Sequence, residues 1–212
     1  MNKLYVIGIG PGEYEQMTLK AIHAMEKSEV IIGYTVYVDL VKEHFPGKEF
    51  LTTPMKKEVD RCVMAFEEAK KGKIVSMICS GDAGVYGMSG LMYEVGVNYP
   101  EVELEIIPGV TAATGGAAVL GAPLIHDFCL ISLSDLLTPW EKIEARLLGA
   151  SQADFVICLY NPSSKKRHDY LQKACDLMMQ YKSPETVCGT VCNIGREGEE
   201  YHVMTLKELR DT

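Results

Sequence analysis

The sequence has no basic surplus. Its 212 residues carry 21 Lys and Arg against 29 Asp and Glu, a formal net charge of −8. That balance excludes a sequence-independent nucleic-acid binder, whose phosphate contacts need the opposite sign, but leaves room for a local basic pocket that takes a small anion. Uninterrupted apolar runs are short. None approaches the roughly 18 residues of a membrane-spanning helix, so no membrane contact is expected. The apolar stretch in "MNKLYVIGIGPGEYEQ" ends in Gly-Pro-Gly without a cleavage-type pattern. A buried first strand is expected there instead of a secretory signal, and the expected compartment is the cytoplasm. Internal repeats and low-complexity tracts are absent. So is G-x-x-x-x-G-K-[ST], which removes a P-loop nucleotidase.

The cysteine count is odd, seven, and Cys79, Cys129 and Cys158 lie within apolar runs. They read as reduced thiols of a cytosolic core. Cys188 and Cys192 in "VCGTVC" are spaced like metal ligands but have no second pair nearby, so no metal site is expected. Hydrophobic content of 47% and charged content of 24% are those of a globular chain, long enough for one large domain or two small ones.

Short apolar runs alternate with helical patterns through the first half. "LYVIGI", "EVIIGY", "EFLTT", "KIVSMIC" and "VELEII" read as strands, and four helical segments separate them. The third, "MKKEVDRCVMAFEEAKKG", sets Met55, Val59, Cys62, Val63, Phe66 and Ala69 at three- and four-residue spacing before Gly72 and is expected to bury that face. Its leading cations, Lys56, Lys57 and Arg61, read as a solvated face. Such alternation predicts an α/β fold with a parallel, doubly wound sheet. "TAATGGAAVLGAPLIHD" breaks the rhythm and reads as the link to a second α/β unit, giving domains 1–120 and 121–212. In that second unit "LTPWEKIEARLL" predicts a helix with Thr138 at the N-cap, Pro139 at N1 and Glu141 closing a capping box. A further helix is expected from about Ser164. "SLSDLL" (132–137) is polar between a strand end and a helix start, where α/β proteins place ligands.

Glycine-bearing loops close the first, fourth and fifth strands: "GIGPGE", "SGDAGVYG" and "PGVTAA". The first departs from a dinucleotide fingerprint, because Glu13 replaces the last glycine and Glu29 starts the second strand instead of ending it; NAD is therefore disfavoured. Taken alone it also reads as a tight turn. Together the loops belong at one carboxyl edge of the sheet, where glycine lets backbone approach a ligand. Asp82 reads either as a cap for backbone N–H groups or as a complement to a cationic ligand. The implied ligand is nucleoside-like, without a pyrophosphate.

"GIGPG", "SGDAGVYG", "PGVTAA" and "LYNPSSKKR" together resemble the tetrapyrrole methylase family, end to end. "GAPLIHDFCLISLSDLLTPWEKIEARL" is most similar to its branch that methylates carbon 17 of precorrin-3B, with ring contraction, in cobalamin biosynthesis. The resemblance implies two α/β domains with the cofactor, S-adenosylmethionine, between them, a tetrapyrrole (corrin precursor) substrate and a homodimer. It carries cofactor contacts onto Pro11, Ser80, Gly81, Asp82, Val85, Tyr86, Thr111, Ala112, Tyr160 and Asn161, with Cys192 beside them. It also implies a further strand beyond the closing "TLKELRDT". The sulfonium is already activated for displacement, so the protein's task is to orient the methyl group, with acid–base help for ring contraction. His126, Asp127, Asp135 and Glu141 are catalytic candidates by position, and His126 reads equally as a packing or hinge residue. For a polycarboxylate substrate, Lys165, Lys166 and Arg167 form the candidate basic patch. They are expected in a helix's first turn, where cations oppose the macrodipole. Methylation at another ring position, and a non-catalytic binding protein of the same fold, remain alternatives.

Overall fold

The computed structural model describes residues 2–121, 123–164 and 167–212. By its contacts the chain forms two compact units, Met1–Gly115 with Asn193–Glu199, and Gly116–Cys192 with Glu200–Thr212.

The first unit is built on five strands, β1 (Asn2–Gly8), β2 (Val30–Tyr34), β3 (Glu49–Thr53), β4 (Val75–Cys79) and β5 (Val102–Ile107). Their order is β3-β2-β4-β1-β5, with every pairing parallel. Both faces of such a sheet are covered, so its strands read as continuous apolar runs. Alternate side chains then feed two separate cores. Leu4, Val6, Val30, Ile32, Val75 and Met77 pack against α3 (Glu58–Lys70) and Met92 of α4 (Ser89–Gly96). Ile7, Ile31, Ile78 and Ile107 pack on the other face against α1 (Leu19–Lys27) and α2 (Thr35–Val41). Each such side chain, fully removed from water, contributes on the order of 1.5–3 kcal/mol. A fifth helix, α5 (Ala112–Val119), carries the chain across the unit boundary.

The buried stripe of α3 keeps only the later half of the one its apolar spacing suggested. Cys62, Ala65, Phe66 and Ala69 face the core, whereas Met55 and Val59 are 64% and 54% exposed. Arg61 is no solvated cation either, being 5% exposed. Its Nε donates to Thr53 Oγ1 at 2.9 Å and its Nη2 to the Pro54 carbonyl at 3.3 Å. The guanidinium also lies 5.9 Å from the Tyr34 ring centre, at the carboxyl ends of β2 and β3. Its aliphatic stem covers apolar surface while the head finds acceptors, which a count of charges along a helix does not reveal.

In the second unit, β6 (Phe128–Ser132) and β7 (Val156–Tyr160) pair in parallel around the crossover helix α6 (Trp140–Gln152). After α7 (Tyr170–Met178) come β8 (Val187–Cys192) and β9 (Glu200–Thr205), an antiparallel pair, and a short α8 (Leu206–Arg210). Ile131, Leu133, Ile143, Leu147, Ala174, Cys175, Leu206 and Leu209 form its core.

Both helix starts differ from expectation. Helix α6 begins at Trp140 with Pro139 as N-cap and no side-chain cap bond, so the Thr138–Glu141 capping box does not form. The Pro139 carbonyl already accepts from Lys142 N at 3.0 Å, and an extended proline at the cap leaves Thr138 one residue too early. Helix α7 begins at Tyr170, so Arg167 precedes it and does not oppose its dipole. A capping box does form at Thr205–Glu208, where Thr205 Oγ1 accepts from Glu208 N at 3.1 Å and Glu208 Oε2 accepts from Thr205 N at 2.7 Å. Thr205→Ala is therefore expected to cost about 1 kcal/mol in urea unfolding, and Thr138→Ala less than about 0.5 kcal/mol.

Candidate functional site

Because β4, β1 and β5 are neighbours in the sheet, the loops that follow them leave side by side from one carboxyl edge. The loops are joined through their backbones. Gly10 N donates to the Gly81 carbonyl at 3.0 Å, and Gly81 N returns a bond to the Gly10 carbonyl at 2.8 Å. A β-carbon at position 8 would lie 2.5 Å from Gly81 O, 2.8 Å from Gly109 N and 2.9 Å from Ala83 N, all main-chain atoms. Three loops meet there at a distance that only glycine permits.

Asp82 completes the junction. Its Oδ1 accepts from Gly84 N at 2.7 Å and Val85 N at 3.1 Å, and its Oδ2 accepts from Gly109 N at 2.9 Å. The carboxylate thus caps its own loop and ties that loop to the third, which is the first of its two readings. Charge-assisted bonds of this kind are among the stronger ones in proteins. Tyr86, on the same loop, is held at φ 52° while 52% exposed. A left-handed tyrosine costs on the order of 1 kcal/mol or more and persists only where its surroundings dictate it.

Pro11, Ser80, Gly81, Asp82, Val85, Tyr86, Thr111 and Ala112 all lie on these three loops or at the start of α5. Gly81, at φ 68°, points its missing β-carbon into a space bounded by Val110 O, Thr111 Cα and Ala112 N, none nearer than 3.8 Å. That cradle of main-chain atoms suits a ligand read by backbone groups. One further residue of the edge is absent from the sequence-based set. Arg196, from the turn between β8 and β9 that counts with this unit, donates from Nε to the Pro11 carbonyl at 2.7 Å and from Nη2 to Ser80 Oγ at 2.9 Å. Its signal in the sequence is slight: an arginine flanked by glycine in "NIGREGEE".

The second unit has a polar cluster at the carboxyl edge of β6 and β7. Ser132 Oγ accepts from Asn161 Nδ2 at 3.0 Å, and Asn161 is itself left-handed at φ 53°, directly after Tyr160 ends β7. Arg167 Nη1 donates to Ser134 Oγ at 2.6 Å and reaches Asp135 Oδ1 at 3.4 Å. The Tyr170 hydroxyl donates to Asp135 Oδ2 at 2.7 Å. Tyr170 first, and Arg167 after it, hold the Asp135 carboxyl below the usual carboxylate range. At neutral pH Asp135 is therefore an acceptor and not an acid. Arg167 Nε is buried without a hydrogen-bond partner among the described residues.

The other catalytic candidates are not gathered here. His126 and Asp127 precede β6 and so lie at its amino end, a strand length from Asp135, and the Asp127 carbonyl is engaged by Val156 N at 2.9 Å. Glu141 is exposed in the first turn of α6. Cys192 ends β8 and is exposed. Lys165 and Lys166 lie outside the described residues. Among the described residues no group of three His, Cys, Asp or Glu side chains is placed to hold a metal ion, and no helix is long and apolar enough to cross a membrane.

Three outcomes follow from this geometry. Gly8→Ala should destabilise the protein by about 2–3 kcal/mol, since backbone must move to admit the methyl group. Gly90→Ala, inside α4 with nothing within 4 Å, should stabilise it by about 0.5–1 kcal/mol. Denaturant unfolding of the two variants measures both. Tyr170→Phe removes the largest cause of the depressed Asp135 pKa, so the carboxyl should titrate closer to the ordinary carboxylate range, as followed by carboxyl carbon NMR. A depressed folded pKa means stability that is present above the unfolded value and lost as pH falls through the folded one. The variant should lose it at a higher pH than the parent does.

The chain is similar to known proteins along nearly its whole length. A Salmonella typhimurium protein described as a probable cobalt-factor III C(17)-methyltransferase is 49% identical over 97% of this chain and 86% of its own length. A precorrin-3B C(17)-methyltransferase from Sinorhizobium sp is 40% identical over 97% of this chain and 82% of its own. A Priestia megaterium cobalt-factor III methyltransferase is longer; at 46% identity, the match spans 98% of this chain but only 39% of that protein. The crystal structure of the methyltransferase CobJ superposes with a TM-score of 0.90 at 33% identity, covering 97% of this chain and 87% of that one. Residues 3–210 match the pattern of the tetrapyrrole (corrin/porphyrin) methylases, and the chain belongs to that family.

Proposed function

We propose that the chain transfers the methyl group of S-adenosylmethionine to carbon 17 of a corrin precursor, cobalt-factor III or precorrin-3B, with contraction of the macrocycle, in cobalamin biosynthesis. The observation that carries this reading is the junction of three glycine loops at one sheet edge, in a chain 49% identical to a relative described by that reaction. In this reading the protein works in the cytoplasm, as the sequence leads one to expect, and as a homodimer, as the family resemblance implies.

When bound, the cofactor supplies a methyl group already activated by its sulfonium. The chain supplies position. Main-chain groups of Gly81, Val85, Thr111 and Ala112 hold the ligand, and Tyr86, fixed in its left-handed conformation, adds an exposed ring beside them. Holding reactants in a near-attack geometry is worth several kcal/mol of barrier without any protein nucleophile. Tyr160 and Asn161 enter this reading from the resemblance, as does Cys192. In the second unit, Arg167 takes a substrate carboxylate, Asp135 stays ionised as an acceptor, and Lys165 and Lys166 adjoin them in sequence. Ring contraction needs proton transfer; the Tyr170 hydroxyl is already donated to Asp135, which raises its pKa, so this pair fits a proton acceptor better than a donor.

The test is incubation of the purified chain with S-adenosylmethionine and either the cobalt-containing or the metal-free trimethylated precursor. Mass spectrometry should show one added methyl group on the macrocycle, and its absence with both precursors would sink the reading. Arg167→Glu should weaken macrocycle binding by at least about tenfold while leaving cofactor affinity near the parent value.

A further inference from the structure

Arg196 lies far in sequence from the loops it touches, 185 residues from Pro11 and 116 from Ser80. Its own turn is built to hold it. Asn193, Gly195 and Gly198 are all left-handed. Arg196 N donates to the Asn193 carbonyl at 2.9 Å, Glu199 N to the Arg196 carbonyl at 3.0 Å, and Gly195 N to Glu199 Oε2 at 2.7 Å. The first loop makes room for the side chain. A β-carbon on Gly12 would lie 2.5 Å from Arg196 Cγ, 2.8 Å from its Nε and 2.9 Å from the Gly195 carbonyl. Arg196 also has no carboxylate within 4.0 Å among the described residues, whereas Arg167 and Arg210 pair with Asp135 and Asp176. Both its acceptors are neutral. What the loops receive is the planar fork, two donors at a fixed spacing that span from one loop to the next.

We infer that Arg196 is a positioning residue of the cofactor site. Its guanidinium clamps the loop at Pro11 to the loop at Ser80, and so sets the gap into which the ligand's nucleoside and amino-acid parts fit. The clamp acts beside the Gly10–Gly81 bridge, so the two loops are fixed at two points, and neither can rotate about the other. This inference rests on the S-adenosylmethionine reading for the ligand, but the clamp itself is a property of the chain without ligand.

The experiment compares Arg196→Met, Arg196→Lys and the parent in two measurements. Hydrogen exchange without ligand should show the amides of residues 8–13 and 80–86 exchanging at least about tenfold faster in Arg196→Met, with the α1 and α3 amides unchanged. Calorimetric titration with S-adenosylhomocysteine should show both variants binding at least about tenfold more weakly than the parent, because an ammonium cannot reproduce the fork. Steady-state assays should place the loss in KM for S-adenosylmethionine, with kcat little changed. Ser80→Ala separates the clamp from general disruption. If Arg196 acts through Ser80, Arg196→Met costs less affinity in that background than in the parent. Full affinity in Arg196→Lys would overturn the positioning role in favour of simple charge. Unchanged exchange in Arg196→Met would overturn the clamp altogether. If the parent fails to bind the probe while Arg196→Met still loosens the loops, the clamp stands and the cofactor reading falls.

Discussion

The close approach of three main chains at Gly8, Gly81 and Gly109 is the constraint on which the rest of the first unit depends. No side chain fits between them, so strand order, loop length and residue type are set together. Adjacent placement of β4, β1 and β5 brings the loops within reach of one another. The paired bonds between Gly10 and Gly81 then fix their register, and Asp82 binds the third loop through Gly109. An aspartate that accepts three backbone N–H groups is a strut whose loss strands three donors at once, so its removal costs far more than a surface charge does. Two apolar cores on the two faces of the sheet keep the strands from sliding, which keeps the loop ends aligned.

The strands of that sheet were legible because burial on both faces removes the need for alternation, leaving unbroken apolar runs that few other structures require. The loops were legible for the converse reason: glycine is disfavoured within a strand and marks the point where the chain turns sharply or lets another backbone come close. Helix ends were harder. Thr138, Pro139 and Glu141 have the composition of a capping box, yet the helix starts after the proline and the cap bond never forms. Composition states which groups are able to pair; the backbone angle at the cap decides whether they do. Arg61 and Arg196 were illegible for a third reason. Their partners, Thr53 and Pro54 for one and Pro11 and Ser80 for the other, are set by tertiary contact, and nothing in the local spacing of charges signals them. For Arg196 the trace in the sequence is the pair of glycines in "NIGREGEE", and it becomes readable only beside the loop it touches.

The second unit shows a different economy of polar groups. Its candidate acid, Asp135, is held ionised by a tyrosine hydroxyl and a guanidinium, which removes it as a proton donor at neutral pH. Its candidate cation, Arg167, shares its charge with that same aspartate through one nitrogen and buries another without a hydrogen-bond partner among the described residues. A guanidinium only partly satisfied within its own chain retains capacity for an external carboxylate, and a buried unpaired donor is costly enough to call for such a partner. In a chain of net charge −8, that local arrangement matters more to recognition of a polycarboxylate than the overall balance does.

Asp82 also bears on how a sulfonium would be accommodated. An aspartate at the mouth of a glycine loop suggests direct pairing with a cationic ligand, but both oxygens of Asp82 are engaged by Gly84, Val85 and Gly109. In the proposed reading Asp82 keeps its negative charge near the ligand while its oxygens hold the loops, and main-chain carbonyls and the aromatic face of Tyr86 would add attraction for a cation without forming an ion pair. Such a site has a consequence for turnover. An ion pair would hold the charged cofactor tightly and gain nothing as the charge disappears during methyl transfer, whereas weaker dipolar contacts distinguish less between the sulfonium and the neutral thioether product. The glycines are what make this solution available, because only a backbone stripped of side chains can bring its carbonyls that close. Arg196 fits the same logic: with Nε given to Pro11 and Nη2 to Ser80, it shapes the gap and leaves recognition to the backbone.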